Sequence, residues 1–398
     1  MARVGGDPMR VLQLHNHHSS LGGAMEVLAH EAQLLTDAGH NVEQFTLPSA
    51  EQLGLSPLRA GGKAIWNIEA QKETTRRIRS FRPDVVHVHT PFPLMSPSVF
   101  RSAHAAGVPA VTTLHSYRWS CVVGTCVRDG SICEDCVGSK LKLSGIRHSC
   151  YHESRLATTA LTLGLGVHRA VGTTQRAITR YLTLTSFMRR LMIRDGYPAS
   201  RILVKPNSVP DPGVAGRRLT GTRFVFVAAR LIEIKGIRTL LDAWARADTK
   251  ELRLVIAGDG ELRPLVTERA ASDSSIEYLG WLAEDAVTQR MRDAEAVLVP
   301  SQWYEGLPLV ILRSLSVGTP LLVSDLENIA EDVIGDGVGW SFQTGNVADL
   351  ERHLSDLANH PERSIALRER ARNNYESRYS PAVDLVRLED IYREVSRS

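Results

Sequence analysis

The chain has 398 residues, of which 43% are hydrophobic and 23% charged, a composition that excludes a disordered or low-complexity protein. This length exceeds one usual core and predicts two domains of about 200 residues each. No apolar run reaches the roughly 18 residues of a membrane span, and residues 1–9 lack the apolar core of a signal peptide. We therefore expect a cytoplasmic protein, with at most a peripheral position at the inner membrane face.

Positive charge is concentrated in the first half of the chain. Residues 1–207 contain 24 Lys and Arg against 14 Asp and Glu, whereas residues 208–398 contain 23 against 30. The asymmetry predicts that the first half contacts an anionic partner, either a membrane surface or a lipid-phosphate acceptor. A solvated basic face without a partner is an equal alternative. Because the cations are scattered and match no reader motif, we expect no nucleic-acid partner.

The first half, residues 1–207, alternates apolar strands with helices. The run Arg10–His15 predicts a buried parallel strand, Gly22-Gly23 a turn that lets the backbone approach a ligand, and residues 25–35 a helix. The pattern continues with predicted strands 41–47, 84–89, 108–115, 180–185 and 201–207 and predicted helices 62–81, 98–106, 154–172 and 187–195. This alternation predicts a doubly wound sheet with ligands at the carboxyl ends of its strands. His89 and His115 fall at such ends, although a strand-end histidine that only bonds neighbouring backbone is the alternative.

All five cysteines fall in an irregular insertion, residues 116–153. Cys133 and Cys136 form a Cys-x-x-Cys pair with Cys121 upstream and Cys150 downstream, and four such thiolates could hold a structural Zn²⁺. The spacing is looser than in a paired zinc ribbon, so reactive or merely buried thiols are an equal alternative and Cys126 is left over. Stable disulfides are not expected in a cytoplasmic protein.

Residues 208–221 are rich in Pro and Gly and predict an interdomain linker. A second α/β array, residues 222–378, follows. The chain closes with a predicted helix, residues 379–398, which we expect to pack back on the first domain.

Two cations lie at the start of the second array. Arg230 ends its first predicted strand, and Lys235 precedes the predicted helix 237–246. Cations beside a helix N-terminus at the carboxyl end of a strand suit a pyrophosphate. Further predicted strands in this array cover residues 252–257, 275–280, 296–300 and 320–324.

The stretch from Val299 to Asp325 predicts a strand–loop–helix–strand unit. Its loop ends in Glu305-Gly306, Pro308 stands in the first turn of the predicted helix, and Gly318 ends that helix. The loop thus presents one acidic side chain and several backbone N–H groups at a helix N-terminus, which suits an anionic, hydroxyl-rich ligand. An ordinary crossover in a parallel sheet is an equal alternative.

In the order and spacing of its motifs, the chain resembles the retaining glycosyltransferase family 4 over nearly its whole length. The motifs that carry the resemblance are Gly22-Gly23, Pro83-Asp-Val-Val-His-Val-His89, Thr113-Leu-His115, Ala229-Arg230, Lys235-Gly236, Ile256-Ala-Gly-Asp-Gly260, Glu305-Gly-Leu-Pro-Leu-Val310, Gly318-Thr-Pro320 and Ser324-Asp325. The resemblance implies the GT-B architecture, an α/β fold of two facing Rossmann-like domains with a cleft between them. The Cys-rich insertion is similar to one found in a subset of the family.

The resemblance also implies an activity. A hexose-type sugar would pass from a UDP- or GDP-sugar to a glycan, lipid-linked or small-molecule acceptor, with retained anomeric configuration and no catalytic metal or other cofactor. Arg230 and Lys235 would bind the diphosphate, and His115 and Glu305 are the implied catalytic residues. The remaining implied donor-side positions are Gly23, Leu282, Gly306, Leu307, Pro308, Leu309 and Arg313, and the implied acceptor-side positions are Asn16, Gly22 and His89.

Two departures from the family pattern bear on activity. The second glutamate of the motif, eight positions after Glu305, is Arg313, and the glycine pair after Asp325 is replaced by Leu326-Glu327-Asn328. Eight residues span a little over two helical turns, so we expect Arg313 on the face of Glu305, where it would pair with that acid or reach a phosphate. A catalytically silent paralogue that binds nucleotide or acts as a scaffold is therefore an alternative. A sugar epimerase or phosphorylase is a further one, disfavoured by the insertion and the Glu305 loop.

Overall fold

The computed structural model describes residues 7–17, 23–213 and 221–397 and contains two compact units. Unit 1 comprises the chain up to Cys126, residues 133–207 and the segment from Asp384 onward, and unit 2 comprises residues 127–132 and 208–383. Each unit is built on a six-stranded, entirely parallel sheet. The prediction of two Rossmann-like α/β domains is therefore confirmed. Within the described residues, every helix is too short or too polar to cross a bilayer.

Unit 1 alternates strands and helices around its sheet. The elements from the N-terminus to residue 207 are β1 (Arg10–Asn16), α1 (Gly23–Asp37), β2 (Asn41–Leu47), α2 (Pro57–Ile65), α3 (Ile68–Phe81), β3 (Val85–Thr90), α4 (Ser98–Ala105), β4 (Ala110–Leu114), β5 (Val127–Arg128), β6 (Ser131–Ile132), α5 (Leu143–Arg147), α6 (Arg155–Ala170), β7 (Arg180–Thr183), α7 (Ser186–Arg194) and β8 (Ile202–Val204). The strand order is β2-β1-β3-β4-β7-β8, with β5 and β6 forming a separate small hairpin. The order reverses between β1 and β3, which opens a crevice at their carboxyl ends.

Two predicted helix boundaries in unit 1 are wrong. Residues 62–81 form the end of α2 and then α3, because Trp66 is extended and the Asn67 side chain accepts a hydrogen bond from the Ala70 N–H at 2.9 Å, which starts a new helix. The cap of α7 is Thr185, whose hydroxyl accepts from the Met188 N–H at 3.1 Å, and Ser186 already belongs to the helix.

Unit 2 repeats the alternation with shorter connections. Its elements, with the C-terminal helix, are β9 (Phe224–Ala228), α8 (Ile237–Trp244), β10 (Arg253–Ala257), α9 (Arg263–Ser272), β11 (Ile276–Tyr278), α10 (Glu284–Asp293), β12 (Ala296–Val299), α11 (Leu309–Ser316), β13 (Leu321–Ser324), α12 (Glu327–Gly335), β14 (Gly339–Phe342), α13 (Val347–Asn359), α14 (Pro361–Arg378) and α15 (Pro381–Ser396). The strand order β11-β10-β9-β12-β13-β14 reverses between β9 and β12. The crevice of unit 2 therefore lies beyond these two strands.

Helix α15 supplies core to unit 1 rather than to unit 2. Leu388, Ile391, Tyr392 and Val395 join a buried cluster that includes residues of β1, α1, β3, β4 and β7. Because its apolar stripe is covered by the first sheet, the last helix of the chain is part of the fold of unit 1.

Two glycines allow the loops of unit 2 to pack against each other without side chains between them. Gly236, with φ +70°, would place a Cβ 1.9 Å from the Pro300 carbonyl oxygen, and Gly258, with φ +139°, would place one 1.8 Å from the Ala229 carbonyl oxygen. Both are backbone contacts that cannot move aside. The loop after β9 is thus held directly against the ends of β12 and β10.

We predict that Gly258→Ala lowers the free energy of unfolding by about 3 kcal/mol or more, since it combines a backbone clash with an unfavourable φ. Urea denaturation measures the loss. Gly335→Ala is the matched control in unit 2, because a Cβ there meets nothing within 4 Å. Equal stabilities of the two variants would contradict the packing described here.

Candidate active site

The crevice of unit 2 holds the predicted cations and the predicted carboxylate. Arg230 lies directly beyond β9 and is exposed, and Lys235 ends a 3₁₀ turn that precedes α8. Glu305 lies in the loop after β12. The Lys235 ammonium donates to Glu305 Oε2 at 2.7 Å and also lies 5.6 Å from the centroid of the Trp303 ring. Residues that are 70 positions apart in sequence thus meet at the point where the strand order reverses.

Polar side chains fix the position of Glu305. The Ser301 hydroxyl donates to Oε1, while Lys235 takes the other oxygen. Asn328, buried in α12, donates from its side-chain amide to the Glu305 carbonyl oxygen at 2.7 Å. The Ser324 hydroxyl at the end of β13 donates to the Ser301 carbonyl oxygen. The Glu305 side chain is therefore held by Ser301 of its own loop and by Lys235 of the loop after β9, and its backbone carbonyl is held by Asn328 of α12.

The backbone of residues 306–309 leads from Glu305 into α11. The helix begins at Leu309 and Pro308 is its N-cap, one position earlier than the predicted first-turn site. Leu307 and Pro308 are buried, whereas Gly306 and Leu309 are partly exposed. Leu282 is partly exposed in the turn beyond β11, two residues after Gly280, whose carbonyl accepts from the Gly258 N–H at 2.8 Å.

The structure gives Arg313 a partner that sequence analysis did not consider. Since α11 starts only at Leu309, Glu305 lies outside the helix and the helical-spacing argument for a shared face does not apply. The Arg313 guanidinium lies 3.1 Å from Glu284 Oε1, at the first residue of α10. A carboxylate is thus present beside position 313, supplied by a different helix.

The crevice of unit 1 is organised by Asn16 at the end of β1. Its Oδ1 accepts from the N–H groups of Leu94 and Met95, at 2.6 and 3.2 Å, and its amide donates to the carbonyl oxygens of His17, Leu47 and Pro48. Asn16 is fully buried. It therefore ties together the segments that follow β1, β2 and β3. Gly23 is the exposed first residue of α1, and Gly22 lies outside the described residues.

A chain of side chains leads from α1 to His115. Glu31 Oε1 lies 3.1 Å from His89 Nε2, and His89 Nδ1 lies 3.1 Å from His115 Nε2, with the two rings stacked. His89 is buried, whereas His115 is partly exposed just beyond β4. Burial, followed by repulsion from His89 and His15, holds the pKa of His115 well below its usual range. His115 is therefore neutral at pH 7.

Glu31 is the centre of a larger buried network. The Lys205 ammonium bridges Glu31 Oε2, at 3.1 Å, and Asp384 Oδ1, at 2.8 Å. His87 Nδ1 lies 2.9 Å from Glu31 and 2.7 Å from the Tyr392 hydroxyl. Burial acts to raise the pKa of Glu31, but Lys205 and the two histidines hold it well below its usual range. The carboxylate is therefore ionised although it is completely enclosed.

Among the described residues, Glu31, His87 and His89 form the one group of three whose metal-ligating atoms lie within 4.8 Å of one another. Lys205 already supplies a positive charge to this carboxylate, and both nitrogens of each ring have protein partners. The group therefore has the character of a hydrogen-bonded ion cluster.

No three cysteine sulfurs of the described chain lie within 4.8 Å of one another, so the four-thiolate zinc site stays a prediction for the insertion. Cys121 lies instead against Cys126, the cysteine left over in the prediction. The hydrogen bond from the Cys126 thiol lowers the pKa of Cys121 to about 6 and raises the pKa of Cys126. The insertion is anchored by other means, because the buried Lys142 ammonium donates to Asp195 and to the Cys136 carbonyl oxygen at 2.5 and 2.8 Å.

Sequence reasoning missed Glu31, Ser301 and Asn328. Glu31 left a signal, since it interrupts the buried stripe of Val27, Leu28 and Leu35 on α1. An acid on the apolar face of a helix indicates a buried partner. The sequence contains no comparable signal for Ser301 and Asn328, because their contacts with Glu305 depend on segments that meet only in the folded unit.

Two family models match this chain, one over most of its first half and the other over most of its second half. The family model described as "Glycosyltransferase Family 4" matches residues 21–211 of this chain, and the family model described as "Glycosyl transferases group 1" matches residues 215–374. The chain belongs to this glycosyltransferase family. Both halves of the fold and nearly the whole chain are therefore those of a GT-B glycosyltransferase.

Individual relatives are distant. A glycogen synthase of Mycobacterium tuberculosis is 23% identical over 91% of this chain and 86% of its own length. A lipopolysaccharide 1,6-galactosyltransferase of Salmonella typhimurium is 29% identical over 44% of this chain and 51% of its own. Among solved structures, Anabaena Alr3699/HepE in complex with UDP and glucose has a TM-score of 0.65 and 17% identity, covering 97% of this chain and 100% of that one. These structural likenesses support the fold of the glycosyltransferase.

The buried network makes the stability of the glycosyltransferase dependent on pH. Burial, followed by repulsion from His89, lowers the pKa of His87 to about 4, whereas histidine in an unfolded chain titrates near 6.5. The unfolded state therefore binds more protons between these values. The contribution that neutral, buried His87 makes to the free energy of unfolding is complete above about pH 6.5 and is lost as the pH falls toward 4.

Between pH 6.5 and 4 the free energy of unfolding decreases. We predict that this decrease is about 3 kcal/mol smaller in His87→Gln than in the parent protein, because glutamine does not titrate. Urea unfolding at a series of pH values measures this slope. The exposed His104 gives a matched control, His104→Gln. An unchanged slope in His87→Gln would show that His87 is not the titrating group.

Proposed function

We propose that this glycosyltransferase transfers a hexose from a nucleoside diphosphate sugar to an acceptor hydroxyl, with retention of anomeric configuration and without a metal at the catalytic centre. The proposal depends on one observation. Lys235 bonds Glu305 beyond β9 and β12, at the point where strand order reverses in the sheet of unit 2, and Arg230 lies in the same loop as Lys235. Open α/β sheets bind their ligands at this point.

The two cations suit the diphosphate of the donor. Arg230 is exposed and makes no salt bridge with any residue that the structure describes, so its guanidinium is available to an incoming phosphate. The flexible ammonium of Lys235 can exchange part of its interaction with Glu305 for a phosphate oxygen. Cations placed there stabilise the charge that develops on the departing nucleotide as the glycosidic bond breaks.

Glu305 suits the sugar. Ser301 and Lys235 each donate to one oxygen of its carboxylate, and a carboxylate offers about four lone-pair sites in all. Sugar hydroxyls of the donor would donate to the same carboxylate. Because Ser301 and Lys235 hold the two carboxylate oxygens, the side chain is oriented before the donor arrives, which lowers the ordering cost of binding.

Hydrogen bonding sets the tautomer of His115. An ionised Glu31 can only accept, so His89 carries its proton on Nε2 and accepts at Nδ1. His115 therefore donates from Nε2 to His89 and keeps a lone pair on Nδ1. The neutral ring offers that lone pair to a substrate hydroxyl at the edge of the sheet in unit 1. His89 and Asn16, which are buried, act as positioning residues for this edge.

The comparisons support this donor and acceptor chemistry. Alr3699/HepE binds UDP and glucose. The names of the relatives include a phosphatidyl-myo-inositol mannosyltransferase of Mycobacterium leprae, 28% identical over 40% of this chain and 42% of its own length. A UDP- or GDP-hexose donor and a glycan, lipid-linked or small-molecule acceptor are consistent with these names.

We predict that Arg230→Gln and Lys235→Met each lower nucleotide release from a reactive UDP- or GDP-sugar about 10- to 100-fold, since each loses a charge-assisted bond to the diphosphate. Glu305→Gln should lower transfer by a similar factor and leave the Kd for free UDP or GDP within about twofold. Arg238→Gln, an exposed cation that pairs with Glu233 on the same segment, is the control. Unchanged turnover in both cation variants would remove the diphosphate assignment.

A catalytically silent paralogue is the second candidate, and Arg313 is the observation that favours it. Arginine has five donors and no acceptor, so it cannot accept hydrogen bonds from ribose hydroxyls. Glu284, half-exposed and 3.1 Å from the guanidinium, returns a carboxylate to this region. We therefore favour the active enzyme, with Glu284 taking part in nucleotide binding.

We predict that Glu284→Gln weakens nucleotide-sugar binding about 5- to 30-fold, the loss expected for one bond to a charged group. Asp285→Asn, the neighbouring acid in the first turn of α10, is the control. Calorimetric titration with UDP- and GDP-sugars measures both variants. Arg313→Glu tests the alternative directly, because transfer that appears only in this variant would identify the natural chain as silent.

A further inference from the structure

An apolar groove runs between α2 and α6 on unit 1. It has a volume of about 380 Å³ and is lined by aliphatic and small side chains of both helices together with Pro93, Leu94 and Tyr151. All of its lining residues belong to unit 1, whereas the proposed diphosphate site belongs to unit 2. A concave apolar surface of this size is in the range of small-molecule binding sites.

Close packing of the two helices forms the floor of the groove. A Cβ at Gly61 would lie 3.4 Å from the Ala160 Cβ, and a Cβ at Gly164 would lie 2.7 Å from the Ala64 carbonyl oxygen. The small residues let the helices approach, and the larger side chains lie at their edges. The groove is therefore a permanent feature of the helix pair.

Large apolar side chains around the groove point into solvent. Leu58 is 79% exposed, Leu156 64% and Leu163 50%, and all three line the groove. Three exposed leucines on two adjacent helices, next to an apolar groove, form a patch of the kind that marks an interaction site.

The charge of the two helices indicates which partner fits. Together α2 and α6 carry Arg59, Lys63, Arg155 and Arg169 and no acidic residue. Arg59 and Arg155 are exposed, and each is the immediate neighbour of an exposed leucine, Leu58 or Leu156. Lys63 is paired with Glu69 of α3, so the exposed cations beside the leucines are Arg59 and Arg155, and these complement a molecule with a hydrocarbon chain and an anionic head group.

The groove also adjoins the acceptor-side crevice of unit 1. Leu94 lines the groove, and its N–H donates to Asn16 Oδ1 at 2.6 Å, at the end of β1. A chain lying in the groove would therefore place its head group at the carboxyl edge of the sheet, where His89 and His115 lie.

We propose that this groove binds the hydrocarbon chain of a lipid-linked acceptor whose head group is a phosphate. This deepens the proposed function, on which it rests, by selecting the lipid-linked class among the acceptors. Arg59 and Arg155 attract the phosphate, while the chain is removed from water along α2 and α6.

The test titrates the full-length protein, without donor, with alkyl phosphates of 8, 10, 12 and 14 carbons below their micellar concentrations. Each pair of added methylenes should tighten Kd about tenfold until the groove is filled, and the gain should then cease. Inorganic phosphate should not bind measurably, and dodecyl maltoside should bind more weakly than dodecyl phosphate. An affinity that is independent of chain length would overturn the proposal.

Three variants locate the binding. Leu58→Ser/Leu156→Ser, which changes only exposed side chains, should weaken dodecyl phosphate binding at least tenfold, and Ala157→Trp, which fills the groove, should abolish it. Arg59→Gln/Arg155→Gln should remove the preference for phosphate over maltoside. Ile365→Ser, an exposed site in unit 2, is the control. A full effect of Ile365→Ser, or none from the groove variants in folded protein, would refute the assignment.

Two further outcomes separate this inference from its alternatives. Concentration-dependent dimerisation that Leu58→Ser/Leu156→Ser abolishes, without alkyl phosphate binding, would identify a second copy of this chain as the occupant and overturn the lipid proposal. Nucleotide release from donor sugars needs no lipid and tests the proposed function separately. Release with no chain binding would leave the transferase standing and refute the lipid groove.

Discussion

A single buried carboxylate, Glu31, constrains the whole of unit 1. Removing an ionised carboxylate from water costs several kcal/mol unless cations and donors surround it. Here the partners come from distant parts of the chain: His87 and His89 from β3, Lys205 from the segment after β8, and Tyr392 from α15. Lys205 in turn requires Asp384. The first helix and the last helix must therefore assemble on the same sheet before the charge is satisfied, and this explains why the C-terminal segment belongs to unit 1. The same carboxylate orients His89, so the requirement for stability also sets the proton on His115.

In unit 2, contacts between backbone segments hold the loops that carry the polar site residues in place. Gly236 against Pro300 and Gly258 against Ala229 leave no room for side chains, so the loops after β9, β10 and β12 have fixed positions relative to one another. These are the loops that carry Arg230, Lys235 and Glu305. Short-range packing of this kind holds Lys235 2.7 Å from Glu305 and fixes the loop that also carries Arg230. The two units thus position polar groups differently, unit 1 through a closed ion network and unit 2 through loop contact.

Local signals in the sequence sufficed for most of the fold. Apolar runs ending in His15, His89 and His115 marked the strands of unit 1, because parallel strands buried on both faces leave continuous apolar segments. Predictions failed where a tertiary contact decided the outcome. The break between helices α2 and α3 at Trp66-Asn67 depends on the side-chain cap that Asn67 provides. The hydrogen bond between Cys121 and Cys126 forms because the fold of the insertion brings these two thiols together. The local sequence pointed to Arg230, Lys235 and Glu305 as ligand-binding positions and the family resemblance implied their roles, whereas the groups that hold Glu305 required the folded loops.

Arg313 stands where the family motif has a glutamate, and the effect of this difference depends on the side chains around position 313. At the position of a motif glutamate, arginine reverses the local charge by two, and such a change would weaken binding of hydroxyl-rich ligands if nothing compensated it. The structure places Glu284 from the first turn of α10 against the guanidinium, so the pair as a whole is neutral. Glu284 also lies two residues after Leu282, on the turn that follows β11. One short segment therefore carries both a side chain expected near the nucleotide base and an acid. We therefore propose that Glu284 of α10 supplies the carboxylate that the motif places on α11, with Arg313 as its ion-pair partner.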